Sequence, residues 1–193
     1  MDRTDFVGYF AIVIIIISLL SLGFSLTGKV TDTGVVNVTV NSVVSINFTT
    51  DFIDFGSGQV DAGQSSATVD TDGISSNGNW SSPADNFTIV NIGNNNVTLE
   101  LATGKDAAAF IGGTSPSYQY KISNTEVGSC TNTTMDLDTW YDVNSTSPGT
   151  TICNPFAFEE GYDSIEVGIR LVIPSDASGG TKTDTFTATA TAV

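Results

Sequence analysis

Few residues in this chain have side chains that could do chemistry. Histidine is absent, so a Ser-His-Asp or Cys-His nucleophile and a His-ligated zinc are excluded. Carboxylates remain. Asp70-Thr71-Asp72-Gly73 opens like a calcium loop, because hard oxygens at alternate positions can converge on Ca2+. No Glu stands where a twelve-residue EF-hand loop needs its bidentate ligand, so a turn with solvated aspartates is the preferred reading. Asp136-Leu137-Asp138 and Glu159-Glu160 with Asp163 are acidic clusters of the same kind. Glycosidase chemistry needs two carboxylates facing each other across a cleft, and nothing in these spacings supplies that. Trp80, Trp140 and Tyr141 are candidates for a sugar-stacking platform, although such aromatics more often serve as core or rim. Neither a G-x-G-x-x-G nor a P-loop lysine occurs. We expect no enzyme, no cofactor and no resident metal.

Two further residue sets point to covalent modification. Cys130 and Cys153 are the only cysteines, and an even count in an exported chain reads as a disulfide. Such a bond is worth about 3 kcal/mol in the chain-entropy picture; the alternative is two buried thiols. Seven N-x-S/T sequons stand at Asn37, Asn47, Asn79, Asn86, Asn96, Asn132 and Asn144. That is about twice the number that the Ser and Thr content gives by chance.

Charge narrows the partners. The 193 residues include 6 basic and 21 acidic side chains, for a net charge of −15. Nucleic-acid binding needs basic stripes and is excluded. Charged residues are only 14% of the chain, against a usual ~25%. Solubility therefore rests on 48 Ser and Thr and 14 Asn.

The elements that position these residues begin with a hydrophobic segment. Phe6 to Gly28 is a run of 23 residues without a charge. As a helix it spans roughly 34 Å, enough for a bilayer core of ~30 Å. Three readings stand: a cleaved signal peptide, a retained signal-anchor, and a pilin-like helix that enters the membrane first and later packs into a filament. The first lacks a basic n-region and a clear cleavage site. The last fits poorly with Asp5-Phe6-Val7-Gly8. Full spanning length favours retention. We expect residues 1–28 to form this helix and residues 29–193 an extracellular domain.

After Gly28 the signal is alternation punctuated by Gly, Asn and Asp. Val36, Val38, Val40, Val44, Ile46 and Phe48 mark one face of a strand of about 13 residues, far beyond the typical ~5–6. It either bends at Asn41-Ser42 or runs beyond its own sheet. Asn86–Ile92 and Val97–Leu101 flank Gly93-Asn94-Asn95 and read as a hairpin. Further strands are expected at Tyr118–Ile122, Ile165–Ile173 and Thr185–Ala192, with weaker ones near Phe52–Phe55 and Ala67–Asp70. Eight or nine short strands predict an antiparallel β-sandwich. No sequon falls on a predicted core position, as a bulky sugar requires.

Three features together resemble a known group. They are Thr27-Gly28-Lys29-Val30-Thr31-Asp32-Thr33-Gly34 ahead of Val-rich alternation, the Asn91-Ile92-Gly93-Asn94-Asn95 turn, and the closing Phe186-Thr187-Ala188-Thr189-Ala190 strand. The layout is similar to TasA/camelysin-type fibre proteins and archaeal bundling-pilus and thread subunits. The resemblance implies a jelly-roll or Ig-like sandwich that polymerises head to tail by donor-strand complementation. The departure is the N-terminal segment, which that group normally loses. Physics alone also permits such a homo-oligomer: a long alternating strand can add to an open sheet edge, and head-to-tail addition does not close. The six alternating residues from Val36 to Phe48 would then fill the acceptor. The alternative is a membrane-anchored, monomeric adhesion or binding module at the cell surface.

Overall fold

The computed structural model describes residues 7–8, 11–15, 33–83, 85–131 and 135–193. The chain divides into two units, Met1–Val40 and Asn41–Val193. In the first, residues 7–8 and 11–15 are helical and residues 33–40 have no regular structure. The rest of the expected hydrophobic helix lies outside the described residues. Among the described residues, no helix is long and apolar enough to cross a membrane.

The second unit is all-β. Its strands are β1 (Ile46–Thr50), β2 (Ser66–Asp70), β3 (Ser75–Ser76), β4 (Phe87–Asn91), β5 (Val97–Thr103), β6 (Ser117–Asn124), β7 (Tyr141–Asp142), β8 (Thr150–Phe156), β9 (Ser164–Pro174) and β10 (Phe186–Ala192). They form two antiparallel sheets, one of seven strands and one of three. Strand β9 organises the larger sheet. It pairs with β6 along one side, and with β4 and then β2 along the other. Its alternation is the one read from sequence: Ile165, Val167, Ile169 and Leu171 are buried. Strands β1 and β3 extend the sheet beyond β4 and β2, and β7 beyond β6. The smaller sheet runs β10-β5-β8.

One core joins the sheets. Val97, Leu99, Leu101, Ile152 and Phe156 of the smaller sheet cluster with Val69, Ile89, Tyr118, Tyr120, Ile122 and the β9 residues of the larger. A chain of aromatic rings crosses it, from Phe48 to Phe87 (5.8 Å), Phe186 (5.3 Å), Tyr118 (5.9 Å) and Phe110 (4.8 Å). Phe110 ends a single helical turn, Ala107–Phe110, capped by Asp106 through the Ala109 N–H.

Two sequence expectations are corrected, and one strand is new. The segments around Gly93-Asn94-Asn95 are not a hairpin, because β4 and β5 lie in different sheets. The buried Asn91 side chain explains the arch: its Nδ2 donates to the carbonyls of Asn95 (3.0 Å) and Phe156 (3.4 Å), tying one sheet to the other. Phe52–Phe55 is not a strand, although Ile53 and Phe55 pack on the core. Strand β8 was not foreseen. Asn154-Pro155 interrupts its pattern, and a proline is tolerated there because it lies at an edge.

Candidate assembly surface

The alternating run from Val36 to Phe48 is divided by the fold. Ile46 and Phe48 belong to β1 and are half-buried against their own core, while Asn47 and Thr49 are exposed. Residues 41–45 precede the strand and are held by the 92–95 loop. Asn94 donates from its backbone N–H to the Val43 carbonyl (3.1 Å) and accepts the Val43 N–H on Oδ1 (2.6 Å). Asn94 Nδ2 donates to the Asn41 carbonyl (2.9 Å), and Asn95 Nδ2 to Ser42 Oγ (2.9 Å). Gly93 makes this contact possible, since a β-carbon there would run into the Val43 carbonyl oxygen. Upstream the valines become progressively exposed. Val36, Val38 and Val40 are 94%, 85% and 79% exposed, and Val44 is 39% exposed. Of the expected 13-residue strand only Ile46–Phe48 lies in β1, and residues 33–45 have no regular structure.

The smaller sheet supplies an open edge. In an antiparallel ladder, alternate residues turn their N–H and C=O towards the partner strand and the rest turn theirs away. Gly104 N–H donates to the Thr185 carbonyl (2.9 Å) and Val193 N–H to the Asn96 carbonyl (3.2 Å). With the β10–β5 register, this places Thr187, Thr189 and Thr191 in the bonded phase. Phe186, Ala188, Ala190 and Ala192 therefore direct their backbone groups outward, and among the described residues no strand pairs with that side. Phe186, Ala188 and Ala190 turn their side chains onto the core. Just ahead of the strand lies Asp184. Burial first, and then this carboxylate, push the Tyr118 hydroxyl far above the ordinary phenol range, so it stays neutral.

The other edge of that sheet is closed. Cys130 and Cys153 form a disulfide with a Cα–Cα distance of 5.4 Å. It pins segment 129–131 along β8. Cys130 bridges Phe156, and the Ala157 N–H donates to the Ser129 carbonyl (2.9 Å).

No family model, curated protein or solved structure matches the chain.

The Asp70 turn is real, but its first aspartate is not solvated. Asp70 is fully buried. Its Oδ1 accepts the N–H groups of Asp72 and Ile74 (3.0 Å each). Its Oδ2 faces Arg170 Nε (3.2 Å) and Nη2 (3.1 Å). Asp72 pairs with Lys121 at 2.7 Å. Both cations lie against the Trp140 ring, Arg170 at 4.2 Å and Lys121 at 5.2 Å from its centroid. The carboxylate oxygens that calcium would need are thus engaged with cations and backbone. Among the described residues, no three His, Cys, Asp or Glu side chains gather to hold a metal.

The aromatic trio is dispersed in role. Trp80 packs on Gly58 and Gly78, Trp140 lies on the cation pair, and the Tyr141 hydroxyl accepts the Asp136 N–H (2.9 Å). Asp138 accepts from Ser123 Oγ (2.6 Å). Asp163 titrates above the usual carboxylate range, because of partial desolvation and then the neighbouring Glu126 charge. Of the sequons, Asn37, Asn47 and Asn79 are exposed, Asn86, Asn96 and Asn144 are half-buried, and Asn132 lies outside the described residues.

Proposed function

We propose that this chain is a structural subunit of an extracellular surface filament. Copies join head to tail when residues 35–40 of one add as a strand to the outer edge of β10 in the next. The observation that carries this reading is the pairing of two complementary features. One is a valine-rich alternating segment more than three-quarters exposed at Val36, Val38 and Val40. The other is a seven-residue edge with outward N–H and C=O groups on alternate residues. Residues 41–48 are used at home, so the donated segment is shorter than the run read from sequence.

Energy and charge favour this contact. Burying a valine is worth about 1.5–3 kcal/mol, and each new main-chain hydrogen bond about 0.5–1.5 kcal/mol. Association costs about 4–15 kcal/mol, so three valines and a short ladder are on the right scale. Two copies of a chain at −15 repel, and the contact must avoid their carboxylates. Residues 33–50 and 185–193 carry no ionisable side chain. The jelly-roll or Ig-like topology, the export route and the packing of residues 1–28 in a membrane or filament core belong to the same proposal.

Electron microscopy of the concentrated full chain tests it. Filaments are expected, and Val38→Asp should abolish them while leaving the thermal midpoint of the monomer unchanged. Discrete monomers from the wild-type chain at high concentration would instead favour the anchored binding module.

A further inference from the structure

We propose that, among the six described sequons, Asn37, Asn47 and Asn79 are the N-glycosylation sites of the folded protein, and that the fold closes Asn86, Asn96 and Asn144. The proposal rests on the extracellular placement above and concerns a separate property of the surface.

The chemistry sets two demands. The Asn Nδ2 forms a bond to C1 of a saccharide carried on a lipid phosphate or pyrophosphate. The C1–O bond to phosphate breaks, its electron pair leaves with the lipid phosphate, and Nδ2 gives up one proton. No oxidation or reduction occurs. The amide must therefore reach water, as must the hydroxyl two residues on that completes the sequon.

The six described sequons separate on those demands. At Asn37 and Thr39, at Asn47 and Thr49, and at Asn79 and Ser81, both members are exposed. Asn79 accepts the Gln59 N–H on Oδ1 (2.7 Å), a bond that leaves Nδ2 unused and survives glycosylation. At Asn86 and Thr88, and at Asn96 and Thr98, both members are half-buried. Asn86 Nδ2 donates to Glu166 Oε2 on β9 (3.0 Å), and among the described residues the Oδ1 atoms of Asn86 and Asn96 are buried without a partner. A glycan at either would have to prise the amide out of the sheet surface. At Asn144 both ends of the amide are engaged: Nδ2 with Thr150 Oγ1 (3.4 Å) and Oδ1 with the Thr146 N–H (2.9 Å).

The open sites have a common consequence. Asn37 and Asn47 occupy the polar phase of the run whose other phase is Val36, Val38, Val40, Val44, Ile46 and Phe48. Where residues 35–40 extend as a strand in the proposed contact, a sugar on Asn37 stands on the phase opposite Val36, Val38 and Val40. Unmodified, a long uncharged strand of this kind is an aggregation hazard.

Glycopeptide mass spectrometry of the full chain, secreted and folded from a cell with an N-glycosylation pathway, decides the matter. Thr39→Ala, Thr49→Ala and Ser81→Ala should each remove one glycan mass. Thr88→Ala, Thr98→Ala and Thr146→Ala should remove none. A glycan on Asn86, Asn96 or Asn144 of folded material overturns the proposal, as does its absence from any one of the three open sites. Microscopy of the same material keeps the two readings apart. Filaments without these glycans sink this inference alone; glycosylated monomers sink the filament alone.

Discussion

The two edges of the three-stranded sheet differ in how they meet solvent. Strand β8 is closed by a disulfide and a crossing segment, and carries a proline. Strand β10 is a run of Thr and Ala with every second backbone unit pointing outward. An open edge is a liability that folded proteins normally blunt with charge, proline or a cover. Here one edge is blunted, and among the described residues the other has no such device, although the chain has 21 acidic residues. The contrast fits the proposed use of the β10 edge as the acceptor.

Adjacent prolines break this comparison most sharply. Thr189 N–H faces β5, so Thr189→Pro deletes a ladder bond and leaves the Glu100 carbonyl unsatisfied. That should cost about 1–3 kcal/mol in chemical denaturation. Ala190 N–H faces outward, and proline is tolerated at that phase of an edge. Ala190→Pro should keep the monomer's stability and end filament growth. If Ala190→Pro filaments look normal while Val38→Asp filaments are lost, strand donation stands and the acceptor lies elsewhere.

The closed edge has its own expected cost. Replacing both Cys130 and Cys153 by serine frees a 23-residue separation, which should lower stability by about 3 kcal/mol. Assembly at neutral pH and low temperature should persist, because the bond lies at the opposite edge from the proposed contact. Loss of filaments by a variant that is still folded in circular dichroism would assign assembly to β8 instead.

Much of this arrangement was legible in the chain, and the limits have physical causes. The strands at β6, β9 and β10 follow from period-2 alternation, because each buries one face. The disulfide follows from there being only two cysteines. The β4–β5 arch did not follow, since Gly93-Asn94-Asn95 also suits a hairpin and the deciding contact joins Asn91 to Phe156, far away in sequence. Asp70 looked solvated because its partner, Arg170, stands a hundred residues on. The run from Val36 to Phe48 announced its faces but not its division. Alternation records which side of a strand is apolar; whether the covering sheet belongs to the same molecule depends on where β4 ends.

Ionic strength should produce a smaller, graded effect. If uncharged segments meet while subunits of −15 repel, salt should promote assembly. Raising ionic strength from 0.01 to 0.15 M shortens the Debye length from ~30 Å to ~8 Å. The critical concentration measured by pelleting should fall several-fold. A rise would mean that the contact is held by ion pairs, which the uncharged edge of β10 cannot supply.

The smallest effect concerns the loops away from both edges, and serves as a control. Exposed Asp176 accepts the Thr114 N–H (2.8 Å) and Oγ–H (2.6 Å), and these bonds hold its carboxyl below the usual carboxylate range. A lowered folded-state value means that the ionised form stabilises the fold. The contribution is present above the unfolded-state value and fades as pH falls through the folded one. Asp176→Asn should therefore lower the thermal midpoint slightly at pH 7, with the gap to wild type closing under acid. Filament yield should not change, because the 114–176 contact touches neither residues 35–40 nor the outer edge of β10. A fall in yield at unchanged stability would place that loop in the interface and shift the open surface away from β10.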